Sequence, residues 1–212
     1  FDDSESNQLK STLPWRQSEL GSKVRWLDQK ELRTLEPRIS PDAIGGLIDE
    51  MQGDLEPYRL SLALTQESEK LGATIRHGNV TGLTQDKGKV TGVVLENRKI
   101  GCDVVVLALG PWSGALSNWL GTPIEIRPLK GQILRLQAPG SPVKCSVGWS
   151  GNYAITKPDG LLWAGTTEEE AGFDENPTNE ARDSIMQSVI KTLPFMIDAR
   201  LAQHTACLRP LA

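Results

Sequence analysis

Asp103-Val104-Val105-Val106-Leu107-Ala108-Leu109-Gly110-Pro111-Trp112-Ser113-Gly114 is the stretch on which the fold turns. A continuous apolar run closed by glycine has the pattern of a strand buried on both faces in a parallel sheet. Trp112 to Leu120, stopped by Gly121, then reads as a helix. In open α/β sheets, ligands bind beyond the carboxyl ends of such strands, and a glycine there lets a ligand approach the backbone. A tight turn with Trp112 as a core aromatic would look the same, and that is the commoner meaning of such a run.

Working upstream, Glu56-Pro57 opens the clearest helix, with Leu60, Ala63, Leu64 and Leu71 near helical spacing before Gly72. It is expected to pack on a sheet. Ala73 to Arg76 follows as a strand, and Lys89–Leu95 and Lys99–Ile100 flank a turn at Glu96-Asn97-Arg98, predicting a small antiparallel meander. Residues 1 to 22 are polar and turn-rich. Val24 to Leu27 alternates like a half-buried strand, and Asp28-Gln29-Lys30-Glu31 is a capping box opening a short helix that ends before Pro37. Ala43 to Asp49 is a further strand, where Gly45-Gly46 permits a bulge or a close backbone approach.

Downstream the texture changes to strands at Glu125–Gln137 and Val143–Trp149, followed by a hairpin from Asn152 to Thr167 turning at Lys157-Pro158-Asp159-Gly160. Thr178 to Thr192 has helical spacing through Ile185, Val189 and Leu193, and Ala202 to Leu208 is the last strand. The expected class is α+β (mixed α/β). An α/β segment, 51–121, interrupts a mostly antiparallel sheet region, 13–50 and 122–208, after a polar segment, 1–12.

With 212 residues and 38% hydrophobic composition the chain can bury a full core. A net charge of -4, with scattered Lys and Arg, argues against nucleic acid and anionic lipid as partners. No apolar run approaches the roughly 20 residues that span a bilayer, and Phe1 to Glu5 lacks the features of a secretory signal, so a cytoplasmic address is expected. Cys102, Cys145 and Cys207 match no zinc or disulfide spacing and read as reduced core thiols. The apolar finish at Cys207 to Ala212 reads as the cut edge of a longer chain.

Tyr153 and Arg209 could together bind a carboxylate, through a phenol hydroxyl and a bidentate guanidinium fork. Singly, a strand Tyr is more often core and an Arg before Pro more often a surface pair. Glu168-Glu169-Glu170 cannot converge on one point from extended or turning backbone and reads as a solvated loop face. His77 and His204 lack partner spacing, so neither a metal site nor a nucleophilic triad is supported, and no Walker loop or dinucleotide fingerprint is present.

Several short motifs nevertheless fall in one order. Gly53-Asp54-Leu55-Glu56-Pro57, Val104 to Gly114, Arg127-Pro128-Leu129-Lys130-Gly131-Gln132, Asn152-Tyr153-Ala154-Ile155 with Gly165-Thr166-Thr167 and Gly172-Phe173, and Cys207-Leu208-Arg209-Pro210 span nearly the whole chain. In this order the chain resembles the FAD-dependent oxidoreductase family that includes D-amino acid oxidase, sarcosine oxidase and, most closely, the glycine oxidase of thiamine biosynthesis.

The resemblance implies a substrate-binding sheet interleaved with part of an FAD-binding domain. Tyr153 and Arg209 then hold the substrate carboxylate, Ala108, Gly110 and Trp112 lie beside the flavin, and the backbone near Val80 meets the adenine end. Glu168 stands where some relatives place an apolar side chain over the substrate, and Cys207 stands where the motif usually has Gly. The implied reaction passes hydride from the Cα of a small amino acid to the flavin, Arg209 orienting rather than reacting. The imine hydrolyses to an oxo acid and oxygen returns as hydrogen peroxide. The family's GxGxxG segment and its C-terminal flavin-contacting glycines are missing from this sequence, so the chain by itself is expected not to hold FAD. The implied partner is a small amino acid, with room for a homo-oligomer. A family dehydrogenase with another acceptor, and a non-catalytic sheet domain, are the alternatives.

Overall fold

The computed structural model describes residues 1–19 and 23–212. The first elements are α1 (Asp3–Ser11), α2 (Leu13–Glu19), β1 (Val24–Asp28), α3 (Gln29–Leu35), β2 (Gly45–Asp49) and α4 (Pro57–Lys70). Three strands follow, β3 (Val80–Asp86), β4 (Lys89–Leu95) and β5 (Arg98–Gly101), then a 3-10 helix, Gly110–Leu116, that leads into α5 (Ser117–Leu120). The chain closes with β6 (Arg127–Gln137), β7 (Val147–Trp149), β8 (Asn152–Thr156), β9 (Leu162–Gly165), α6 (Asn179–Thr192), a second 3-10 helix, Pro194–Asp198, and β10 (Arg200–Leu211). Helices with antiparallel ladders make this the expected α+β class.

The chain forms two compact units. One comprises Phe1–Glu56, Gly131–Glu168 and Glu175–Cys207; the other comprises Pro57–Lys130, Glu169–Asp174 and Leu208–Ala212. A five-stranded sheet runs in the order β10-β6-β9-β8-β7, with antiparallel pairing from β6 through β9 and β8 to β7. In the first unit the alternation of a strand puts Leu134, Leu136, Ala154, Leu162 and Ala164 on one face of this sheet. There they pack with Ile185 and Val189 of α6 and with Leu193 and Met196. Full burial of side chains such as Leu134 and Ile185 contributes about 1.5–3 kcal/mol each. Thr178 caps α6 by accepting from the Ala181 N–H. The antiparallel pair β1-β2 and the α3 segment between them build a smaller cluster of Leu27, Leu32 and Ala43. Both halves of the Asp28–Glu31 capping box are formed. Gly45 sits against the Trp26 indole so closely that a methyl there would meet Cζ2 at 2.1 Å.

The polar segment at the start differs from its turn-rich expectation, because it forms α1 and α2. Asp2 accepts from the Glu5 N–H, Asp3 and Glu5 occupy the first turn, and Lys10 the last. Capping and charge placement, not an apolar stripe, hold this helix. Residues 20–22 of that segment lie outside the described residues.

In the second unit β3-β4-β5 is an antiparallel meander, one strand longer than expected. Ala73–Arg76 is not a strand, nor is the run from Asp103 to Gly110. Val104 is 76% and Val106 84% exposed, which overturns the expectation of burial on both faces. No strand among the described residues pairs with this run, and a doubly buried strand needs a neighbour on each edge and a layer on each face. For the same reason α4 has no buried residue, and its expected packing on a sheet is absent. The segment after Gly110 starts as a 3-10 helix, not an α-helix, with Pro111 in its first turn. At Gly114 a methyl would lie 2.5 Å from the Ile126 carbonyl oxygen. Further on, only Val147–Trp149 of the expected strand from Val143 joins the sheet.

Candidate functional site

Tyr153 stands on β8 directly across from Gly148 of β7 on one side and Gly165 of β9 on the other. Gly165 in turn faces Ile133 of β6. Cross-strand partners share a face, so the row Gly148–Tyr153–Gly165–Ile133 lies on the face opposite the α6 core, with the half-buried phenol flanked by two residues that have no side chain.

One residue pair along that face, the row Ile155–Trp163–Arg135 is filled. The Arg135 guanidinium lies over the Trp163 ring at 4.2 Å. Arg135 Nη1 donates to Gln203 at 2.6 Å, and Trp163 Nε1 donates to Asp159 at 3.0 Å. On the other side, the Gln132 backbone N–H donates to Thr167 Oγ1 at 3.0 Å. The fully buried Gln132 side chain accepts from the Thr178 N–H at 2.9 Å and donates to its hydroxyl at 3.2 Å. β6 is thereby tied to the cap of α6. The order of motifs pointed to Gln132 without revealing this role.

In the second unit, the partly buried Gly110 adopts φ +52°, and a methyl there would meet nothing within 4 Å. Trp112, 49% exposed, stacks on Phe173 with ring centres 6.2 Å apart and planes 25° apart. The loop Glu169–Asp174 is held by Lys130, whose backbone exchanges two 2.9 Å hydrogen bonds with Glu169. The Lys130 ammonium, on a side chain only 1% exposed, lies 2.7 Å from Asp174 and 4.0 Å from Glu169. Arg127 pairs with Glu170. Of the acidic triplet, Glu169 and Glu170 therefore serve this loop, while Glu168 is exposed.

Among the other residues singled out, Ala108 is exposed in the unpaired run, and Val80 opens β3 opposite Leu95. Arg209 is half-buried on β10, in the stretch assigned to the second unit; Tyr153 and Glu168 belong to the first. Strands β8 and β10 are members of one sheet, with β9 and β6 between them.

No group of three His, Cys, Asp or Glu side chains able to hold a metal occurs among the described residues. All three thiols are free, and Cys207 is exposed instead of serving as core filler. Burial, and then the Glu36 carboxylate, push the Cys145 thiol above its ordinary range, which disfavours the nucleophilic thiolate. Glu36 itself is held below the usual carboxylate range chiefly by its hydrogen bonds from Arg38. No helix is long and apolar enough to cross a membrane among the described residues.

The family model of "FAD dependent oxidoreductase" matches residues 1–212. Glycine oxidase of Pseudomonas putida is 38% identical over 134 residues, which are 63% of this chain and 37% of that protein. Hydrogen cyanide synthase subunit HcnC of Pseudomonas protegens is 31% identical over 194 residues, 90% of this chain and 46% of that protein. The fold matches that of glycine oxidase from Bacillus cereus with a TM-score of 0.92 at 24% identity, over 99% of this chain and 58% of that one. The chain thus spans about half or less of the length of the curated relatives it matches. A match along its whole length to one family model settles the assignment: this chain belongs to the family of FAD-dependent oxidoreductases.

Proposed function

We propose that the protein containing this chain oxidises the C–N bond of a small amino acid, glycine or a sarcosine-like N-substituted glycine, yielding an oxo acid, ammonia or an amine, and hydrogen peroxide. The observation that carries this reading is the placement of Tyr153 on β8 between two glycines, Gly148 and Gly165, so that no side chain of its cross-strand partners flanks the phenol. Tyr153 would donate its hydroxyl hydrogen bond to the substrate carboxylate and Arg209 would supply the guanidinium fork, so both orient the substrate and neither moves a proton. Glu168 would border the same pocket. The likeness to Pseudomonas putida glycine oxidase supports the substrate class.

The residues present fit one end of the cofactor. At Gly110 the left-handed φ and the absence of atoms within 4 Å of an added Cβ support backbone approachable by a flat ring; Ala108 and Trp112 would lie beside that ring and Val80 near the adenine end. FAD, when bound, supplies the two-electron acceptor for the Cα hydrogen. No dinucleotide fingerprint for its pyrophosphate occurs in residues 1–212, so residues 1–212 alone are proposed not to retain it.

The test is oxygen uptake by the family-length, FAD-loaded protein. Uptake with glycine or sarcosine, with matching peroxide, is expected; none with either substrate overturns the reading. A second reading is favoured by HcnC, a hydrogen cyanide synthase subunit that aligns over more of this chain than the glycine oxidase does. On that reading the protein acts on another substrate or uses another acceptor. With another acceptor it would reduce an artificial dye with glycine while consuming no oxygen.

A further inference from the structure

We propose that Phe173 is a positioning residue for the cofactor. Held by the loop Glu169–Asp174, it fixes the plane of Trp112 and, through Trp112, the seat of the flavin ring. This role rests on the reading that places Trp112 beside that ring and goes beyond it by naming what holds Trp112 there.

Both rings are large and half exposed, Trp112 at 49% and Phe173 at 55%. Burial alone therefore fixes neither of them. What orients Trp112 is the stack itself, with planes 25° apart and centres 6.2 Å apart, inside the range over which aromatic pairs attract. Since Trp112 stays half exposed after stacking on Phe173, it keeps surface for a second flat ring.

The loop is the fixed member of the pair. At one end the Lys130 backbone exchanges two 2.9 Å hydrogen bonds with Glu169, and at the other the buried Lys130 ammonium lies 2.7 Å from Asp174. Arg127 pairs with Glu170 between these anchors. The Asp174 N–H donates to the Ala171 carbonyl at 3.2 Å, and Gly172, at φ +58°, supplies the left-handed residue of this turn. One lysine thus ties both ends of the loop, and Phe173 adjoins its ion pair. Trp112 has weaker support from its own segment. It lies in the first turn of a 3-10 helix, whose hydrogen bonds are poorer than those of an α-helix, and the run leading into it pairs with no strand among the described residues. An indole carried by such a segment takes its orientation from the anchored ring.

The experiment compares the parent family-length protein with Phe173→Ala, Phe173→Leu, Phe173→Tyr and Trp112→Ala. Two readouts need no turnover: the dissociation constant for FAD, from titration of the protein stripped of flavin, and the visible circular dichroism of the bound flavin, which reports the surroundings of its ring. Phe173→Ala and Phe173→Leu should weaken FAD binding about twofold to tenfold, the ratio that corresponds to losing one aromatic pair. Both should also change the flavin dichroism, whereas Phe173→Tyr, which keeps the ring, should give parent values. Trp112→Ala should weaken FAD binding at least as much as Phe173→Ala does. A fall in Tm for Phe173→Ala with both flavin readouts at parent values would make the stack structural alone and overturn the proposal. Parent values for Phe173→Ala and Phe173→Leu beside altered ones for Trp112→Ala would overturn the role of Phe173 and leave the placement of Trp112 standing. Parent values for Trp112→Ala would sink that placement, and the role of Phe173 with it.

Discussion

The Lys130 ammonium lies 2.7 Å from Asp174 Oδ2, on a side chain that is almost wholly withdrawn from solvent. A buried ammonium without a partner is costly, while a pair replaced by an apolar residue can be neutral. Asp174→Ala should therefore destabilise the protein by about 1–3 kcal/mol, since Asp174 itself is partly exposed. Lys130→Met in the same background should recover most of that loss. Urea unfolding midpoints of the two variants check this; an additive loss in the double variant contradicts it.

The loop that Lys130 pins also carries Phe173 onto Trp112. Phe173→Ala should change the near-ultraviolet circular dichroism of the indole while leaving the far-ultraviolet spectrum intact. An aromatic pair of this kind contributes about 0.5–1.5 kcal/mol, less where exposed, so only a small fall in Tm should accompany it.

The pH dependence of stability follows from Glu36. Arg38 donates to it at 2.8 and 3.0 Å and lowers its pKa from an ordinary 4.5. A carboxylate with a depressed folded-state pKa contributes stability that is fully present above its unfolded value and is lost as pH falls through the folded one. Stability should drop below about pH 4.5, and Glu36→Gln should be less stable at pH 7 with a shallower acid slope. Tm measured from pH 3 to 7 tests the sign, and an unchanged slope contradicts it.

Core packing offers a fourth test. Ile185 on α6 is fully buried against the sheet. Truncation to Ala should cost about 2–5 kcal/mol, read from the urea midpoint.

The helix α6 and the capping box at Asp28 were legible because Ile185, Val189 and Leu193 repeat at helical spacing and because Asp28 and Glu31 satisfy backbone donors locally. The turn at Lys157–Gly160 was legible for the same kind of reason, with Gly160 at φ +81°. Helix α1 was missed because its support is the Asp2 cap and not an apolar stripe. The strand β3 was missed because irregular pairing around Gly82 and between Thr84 and Gln85 breaks its alternation. The run from Asp103 to Gly110 has the composition of a buried strand, which encodes contacts that no described residue supplies. For the site, motif order drew attention to Tyr153 and Arg209. The glycines flanking Tyr153 depend on strand register, which a linear reading does not contain.

The central claim is that Arg209 and Tyr153 bind the substrate carboxylate, and steady-state kinetics of Arg209→Ala in the family-length, FAD-loaded protein test it most directly. Loss of a charge-assisted hydrogen bond worth about 1.5–3 kcal/mol should raise KM for glycine about tenfold to a hundredfold, with flavin content unchanged and Tyr153→Phe giving a smaller rise. An unchanged KM for glycine in Arg209→Ala would contradict it.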